Sequence, residues 1–439
     1  MASAPKLTVI GTGYLGATHA VCMAELGFEV LGLDVLPEKV AQLQSGTVPF
    51  FEPGLPELLR KNLDSGRLRF TTSMEEVGDF GDVHFVCVGT PQKQGEYAAD
   101  LTYVDGAFGA LVPHAKTGSL LVGKSTVPAG TAERLAAEIT AARGDDLELA
   151  WNPEFLREGF AIEDTLTPDR LVFGVRSARA EEQLRAAFAP VVERPTPVVV
   201  TDFATAQLVK VAANAFLATK ISFINAMAEV CEATGGDVTM LSKALSYDGR
   251  IGGRFLNAGL GFGGGCLPKD IRAFMARAGE LGVDQALSFL KEVDAINLRR
   301  RARMVEIARQ EVGGSFGGMR VAVLGAAFKP NSDDIRDSPA LDVAMSIQLQ
   351  GAAVCVYDPQ AMENAKIKCP QLGYRDSALD AAKGADLVLH LTEWEQFRSM
   401  DPAALSAVVA ERRIVDGRNA LDPERWRSAG WTYRALGRP

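Results

Sequence analysis

An excess of positive charge is missing from this chain: 46 Lys and Arg stand against 55 Asp and Glu, a formal net charge of −9 at pH 7. Proteins that grip a phosphate backbone carry a basic face that sets their salt-dependent affinity, so nucleic acid is not an expected partner. A few Lys and Arg can still line one pocket for a small anion. Cysteine is sparse as well, and Cys22, Cys87, Cys231, Cys266, Cys355 and Cys369 show neither the pairing of a metal site nor the density of a disulfide framework. No metal is expected, and most of the six read as buried thiols. A leader is also wanting: Met1 to Pro5 has no basic segment feeding a long apolar run, and Lys6 to Ile10 is too short to cross a bilayer. These absences predict a soluble, cytoplasmic protein with no membrane partner. The composition, 47% hydrophobic and 23% charged, leaves little room for disordered tracts. A length of 439 residues exceeds what one hydrophobic core usually serves, so two or three domains are expected.

What is present is an alternation of short apolar runs and helix-compatible stretches. Lys6 to Ile10 leads into glycines, a helical stretch follows through Leu26, and Glu29 to Asp34 is a second β-like run. Val83 to Val88, Leu120 to Lys124 and Leu147 to Ala150 continue the pattern, with helical residues such as Gly130 to Ala142 between them. A parallel sheet covered by helices is the fold that suits this order. An Ala-rich helix is expected over 202–235 and another over 284–313, as a spine or a subunit interface. After the glycine-rich stretch Gly313 to Gly318 the opening returns: Arg320 to Gly325, a helix after Ser338-Pro339, and Ala353 to Asp358. This single long period excludes a solenoid. The expected fold class is α/β, two Rossmann-like doubly wound domains joined by a central all-helical region, with boundaries at 1–201, 202–313 and 314–439.

Gly11-Thr-Gly13-Tyr-Leu-Gly16 sits between a strand and a helix, where glycines permit a tight turn and let backbone amides meet a pyrophosphate. Asp34 closes the next strand, the place where a carboxylate binds ribose hydroxyls and repels a 2′-phosphate, so NAD is favoured over NADP. Val88-Gly-Thr90-Pro91 and Ser125-Thr126-Val-Pro128 end apolar strands at the ligand-binding edge of the sheet. For either motif alone, turn chemistry accounts for the hydroxyls equally well. Lys210 and Asn214 lie one turn apart on an otherwise apolar helix and could together hold a developing oxyanion, although a snorkelling Lys has the same signature. In Asn257 to Asp270 the glycines allow close backbone approach to a ligand, and Pro268 starts a helix just after Cys266. Cys266 would then sit near helix-end amides and Lys269, both of which favour a thiolate. Asp270 suits either a helix-dipole partner or a base.

On Gly11 to Asp34, Ser125 to Pro128, Asn152 to Gly159, Lys210 with Asn214, Phe255 to Asp270, Phe328-Lys-Pro and Asp416-Gly-Arg418, the chain resembles the UDP-glucose/GDP-mannose dehydrogenase family along essentially its whole length. The resemblance implies an N-terminal NAD domain, a dimer or larger homo-oligomer built on the long central helix, and a C-terminal domain that holds the UDP-sugar. It implies that Cys266 is a nucleophile forming a thiohemiacetal and then a thioester. Lys210 and Asn214 would stabilise the oxygen at C6, Asp270 would handle protons through water near Thr126, and Glu154 would help hydrolyse the thioester. Cofactor contacts would fall on Gly11, Gly13, Tyr14, Leu15, Gly16, Asp34, Lys39, Thr90, Pro91, Thr126, Glu154, Lys269 and Arg336. Substrate contacts would fall on the Glu154, Phe155, Leu156, Arg157 stretch, on Lys210 and Asn214, on Arg254, Phe255, Leu256, Asn257, Gly263 and Cys266, and on Phe328, Lys329 and Arg418. Several of these are cations, as a diphosphate requires. Tyr247 to Asn257 looks more like the UDP-glucose branch than the GDP-mannose branch, and UDP-N-acetylhexosamine enzymes fit less well.

Two other readings compete. A simple two-electron hydroxyacid dehydrogenase can also pair Lys and Asn one turn apart, but it needs neither Cys266 nor residues 320–439. A non-catalytic sensor of NAD and sugar nucleotide would have no reason to keep Cys266, Lys210 and Asp270 together.

Overall fold

The structure is a computed structural model describing residues 4–439. The chain forms two compact units, one from the residues up to Ala213 together with Arg272–Gly282, the other from Asn214–Ile271 and Val283–Pro439.

The first unit is built on an eight-stranded sheet: β1 (Leu7–Ile10), β2 (Val30–Leu33), β3 (Leu68–Thr71), β4 (Val83–Val86), β5 (Leu120–Gly123), β6 (Glu148–Trp151), β7 (Leu171–Gly174) and β8 (Val198–Thr201). The order is β3-β2-β1-β4-β5-β6-β7-β8. Leu7 pairs with Val30 on one side and Val83 on the other, so β1 runs parallel between β2 and β4. Only β6 and β7 meet antiparallel, at Trp151 and Gly174. β1, β2, β4 and β5 are buried along their whole length, which is why they are continuous apolar runs rather than alternating ones. Successive side chains still serve opposite faces: Leu7 and Val9 join one apolar cluster with Ala17 and Phe85, while Ile10 joins the other with Leu31 and Val86.

In the second unit a six-stranded parallel sheet runs β11-β10-β9-β12-β13-β14, with β9 (Arg320–Leu324), β10 (Ala353–Tyr357), β11 (Gly373–Tyr374), β12 (Leu387–His390), β13 (Arg413–Asp416) and β14 (Thr432–Ala435). The expected fold class therefore holds: two doubly wound α/β sheets with helices between them in sequence. Some elements differ from their sequence reading. The helix expected from residue 284 begins at Phe289, because Asp284–Leu287 forms a short 3-10 turn before it. β7 and β8 were not legible as strands; β8 has its central residues exposed, at 46% for Val199 and 39% for Val200.

The helix Phe203–Thr234 spans 32 residues and is long and apolar enough to cross a membrane by length and composition. Its small side chains instead pack inside the protein: Ala206, Ala215, Ala218, Ile224 and Ala228 are buried. Two interior polar atoms of this helix find partners: Ser222 donates to the Val293 carbonyl at 2.7 Å, and the Asn225 side-chain oxygen accepts from the Gly259 amide at 2.9 Å. Phe216, Phe223 and Val230 remain exposed along it.

Candidate functional site

In the first unit the glycine-rich loop leaves β1 through Gly11, whose φ of 87° is one that side-chain-bearing residues rarely adopt. Gly16 is required for a different reason: a Cβ there would lie 1.8 Å from the Gly11 carbonyl oxygen. At Gly13 a Cβ would meet nothing within 4 Å, so the loop is open at that point. Gly13 is also the N-cap of the helix Tyr14–Glu25 and supplies no capping side chain. First-turn amides without a side-chain partner at an open glycine suit a pyrophosphate.

Asp34, 6% exposed, accepts from the Thr12 amide at 3.0 Å, the Thr12 hydroxyl at 3.1 Å, the Leu36 amide at 3.2 Å and the Lys39 ammonium at 2.9 Å. Burial alone would raise its carboxyl, but Lys39, the Leu36 amide and Thr12 together hold it below the usual range. Asp34 is thus ionised and Lys39 partly offsets its charge. Nearby, the Thr90 hydroxyl donates to the Thr126 carbonyl at 2.8 Å and the Ser125 hydroxyl to the Val88 carbonyl at 2.7 Å. These hydroxyls stitch together the loops after β4 and β5, which is the turn chemistry left open by the sequence; Pro91 accepts from the Asp100 amide at 2.8 Å.

The segment after β6 carries Glu154, which bridges the Lys210 ammonium at 2.9 Å and the Leu156 amide at 2.7 Å. The Arg170 guanidinium lies 3.8 Å from the Phe155 ring centroid, and the Lys210 ammonium 5.6 Å from it. Arg157 turns its backbone amide and its guanidinium to Asp164, at 2.7, 2.9 and 2.6 Å, so its charge is engaged within this segment. Lys124, which closes the apolar run of β5, is buried and donates to Asn152 at 2.8 Å, while Asn152 donates to the Val172 carbonyl at 2.9 Å. Burial pushes the Lys124 ammonium below its ordinary value. A lysine closing a wholly apolar run was the available signal.

In the second unit Asn214 donates to Asp270 at 2.6 Å, and Lys269 pairs with Asp270 at 2.6 Å. Asp270 is 2% exposed. Lys210 and Asn214 therefore have separate carboxylate partners, Glu154 and Asp270. Cys266 is exposed; it precedes the helix Leu267–Glu280, and its carbonyl accepts from the Asp270 amide at 2.9 Å. Cys22, Cys87, Cys231 and Cys369 are buried as expected, and burial pushes the Cys22 and Cys87 thiols up to about 12. Cys355 departs from that expectation: it is partly exposed, on β10.

The glycines before Cys266 are explained by the chain's own packing. A Cβ would lie 2.7 Å from the Gly417 carbonyl oxygen at Gly259, 2.2 Å from Asn297 at Gly261, 2.3 Å from the Asp337 carbonyl oxygen at Gly263, 2.7 Å from the Phe328 ring at Gly264 and 2.3 Å from the Arg336 guanidinium at Gly265. Close approach is needed, but by protein groups. Phe255, at the start of this segment, holds a φ of 64°, a costly conformation for an aromatic residue. Leu256 is buried, whereas Arg254 and Asn257 are exposed.

Arg418 lies just after β13. Its guanidinium donates to the carbonyls of Leu391 at 2.7 Å, Gly261 at 3.1 Å and Phe328 at 3.0 Å, and pairs with Glu393 at 3.3 Å. It fastens the Cys266 loop and the Phe328-Lys329 turn to the end of β12. Arg336 pairs with Asp334 at 2.7 Å while lying against Gly265.

Three family models match the chain: the NAD binding domain of the UDP-glucose/GDP-mannose dehydrogenase family over residues 5–192, its central domain over 204–299 and its UDP binding domain over 322–423. The chain is 40% identical to a UDP-glucose 6-dehydrogenase of Rhizobium meliloti (strain 1021), covering 99% of this chain and 100% of the relative. It is 39% identical to a UDP-glucose 6-dehydrogenase of Bacillus subtilis (strain 168), covering 99% and 98%. Among solved structures it matches a UDP-glucose dehydrogenase from Pyrobaculum islandicum with a TM-score of 0.90 at 37% identity, covering 100% of this chain and 98% of that one.

Proposed function

We propose, from the premise that this chain belongs to the UDP-glucose/GDP-mannose dehydrogenase family and is an NAD-dependent oxidoreductase, that it oxidises the C6 alcohol of UDP-glucose to a carboxylate through a thioester on Cys266. The observation that carries the reading is Cys266 itself. It is the most exposed thiol of the six, and it precedes a helix of 14 residues whose amides favour a negative charge.

The Gly11–Gly16 loop, Asp34 and Lys39 would hold NAD, which when bound would supply a hydride acceptor for each of two oxidations. Asp270, held by Asn214 and Lys269, takes the alcohol proton by way of water as the aldehyde forms. The Cys266 thiolate then adds to the aldehyde carbon, placing the electron pair on oxygen, and Lys210 and Asn214 stabilise that alkoxide. Collapse of the alkoxide expels the second hydride and leaves a thioester. Glu154 takes one proton from water as its oxygen adds to the thioester carbon, the C–S bond breaks, and the thiolate returns with release of the carboxylate and of the water's second proton.

The diphosphate and uridine fall to the Phe255–Gly263 stretch, Phe328, Lys329 and the loop fastened by Arg418. The domains follow the boundaries 1–201, 202–313 and 314–439, in a soluble cytoplasmic homodimer or larger assembly. NADH yield on a panel of UDP- and GDP-sugars tests the reading: two NADH per UDP-glucose are expected. Faster turnover of GDP-mannose, or one NADH with free aldehyde, overturns it.

A further inference from the structure

Glu52 belongs to none of the motifs that point to the chemistry, yet it is only 2% exposed. A buried carboxylate must be paid in hydrogen bonds or a cation. Among the described residues no cation pairs with it; three donors do. Its Oε1 accepts from the Ala161 amide at 2.7 Å, which gives the helix Ala161–Leu166 the cap that Phe160 does not supply. Its Oε2 accepts from the Gly159 amide at 2.6 Å and from the Tyr14 hydroxyl. The Gly159 amide also reaches the Tyr14 oxygen at 3.1 Å. Tyr14 is the first residue of the helix that follows the glycine-rich loop, and Gly159 ends the segment that begins at Asn152 and carries Glu154.

We infer that Glu52 is a positioning residue that ties the dinucleotide loop, through Tyr14, to the segment carrying Glu154, through Gly159, so that cofactor binding and the placement of Glu154 depend on one buried carboxylate. The inference rests on the reading above of the Gly11–Gly16 loop and of Glu154. Its physical basis is the number of acceptors. Three donors converge on two carboxylate oxygens, and an amide offers only one oxygen, so Glu52→Gln cannot serve all three. Burial and the adjacent carboxylate both push the Tyr14 hydroxyl upward, which keeps it a donor at any physiological pH.

The test compares Tyr14→Phe, Glu52→Gln and the double variant with wild type. Measurements are KM for NAD, kcat, melting temperature and intact-protein mass during turnover of UDP-glucose. Tyr14→Phe and Glu52→Gln should each raise KM for NAD by about tenfold, and the double variant should be no worse than the worse single one, because both remove the same link. Slowed thioester hydrolysis should also leave sugar-bearing protein in the mass spectrum of Glu52→Gln at steady state. A merely structural glutamate would lower the melting temperature without that adduct, and this outcome overturns the inference, as do two single effects that multiply in the double variant. Wild-type protein that yields no NADH from UDP-glucose overturns the underlying reading and the inference with it. Normal wild-type turnover with unaffected variants removes the inference alone. Tyr14→Phe, which keeps the ring against Phe50, tests the link if Glu52→Gln does not fold.

Discussion

Cys266 and Arg418 show how a single side chain can carry a chemical role or a geometric one. For Cys266 the proposed role is chemical: Cys266→Ala should bind NAD and UDP-glucose but form no acid, while Cys266→Ser, with a poorer nucleophile and a poorer acyl donor, should stall with sugar attached. Intact-protein mass spectrometry detects that adduct, and UDP-glucuronate made by Cys266→Ala at the wild-type rate would refute covalent catalysis. The Arg418 fork spans three backbone carbonyls beside the stretch proposed to hold the substrate. Arg418→Ala should therefore raise KM for UDP-glucose and also cost on the order of 3 kcal/mol of stability, from carbonyls left without a donor. Arg418→Lys should rescue little, since an ammonium cannot reach three divergent acceptors. A variant with unchanged urea stability would return Arg418 to a purely electrostatic role.

At the scale of elements, β1 and β4 are joined by more than their ladder: Thr8 and His84 share a buried hydrogen bond of 2.8 Å. Burial lowers the His84 imidazole to about 4, against an ordinary value of 6.5. The unfolded chain thus binds a proton that the folded chain refuses between those values. The contribution of His84 is complete above pH 6.5 and is lost progressively as pH falls towards 4. Urea melts should show stability falling across this window, with a slope reduced by about one proton in His84→Gln. An unchanged slope would show that His84 titrates normally. The loop before Cys266 makes a related point, because its glycines look like room for a ligand and prove to be room for Gly417, Asn297, Asp337, Phe328 and Arg336. Spacing shows that backbone must come close to something; it does not show what.

For the whole molecule, Phe216, Phe223 and Val230 are exposed on the Phe203–Thr234 helix, as are Phe289 and Leu298 on Phe289–Glu311, and we propose that these apolar side chains are covered in a subunit interface. Sedimentation at low concentration should give a dimer or larger, and Phe216→Glu with Phe223→Glu should shift it towards monomer; a fully active wild-type monomer would remove the interface. The sequence by itself determined the fold class and the glycine-rich turn after the first strand, because period and glycine spacing are local properties of the chain. The family resemblance, not spacing, named Lys210, Asn214, Glu154 and Asp270 together. Only the tertiary structure decided how they pair, Lys210 with Glu154 and Asn214 with Asp270, and only it brought out Glu52 and Lys124. A hydrogen-bond partner 56 residues away, as for both of those pairs, or 107 away, as from Glu52 to Gly159, leaves no periodic trace in either segment, since it is chosen by how distant strands and helices pack.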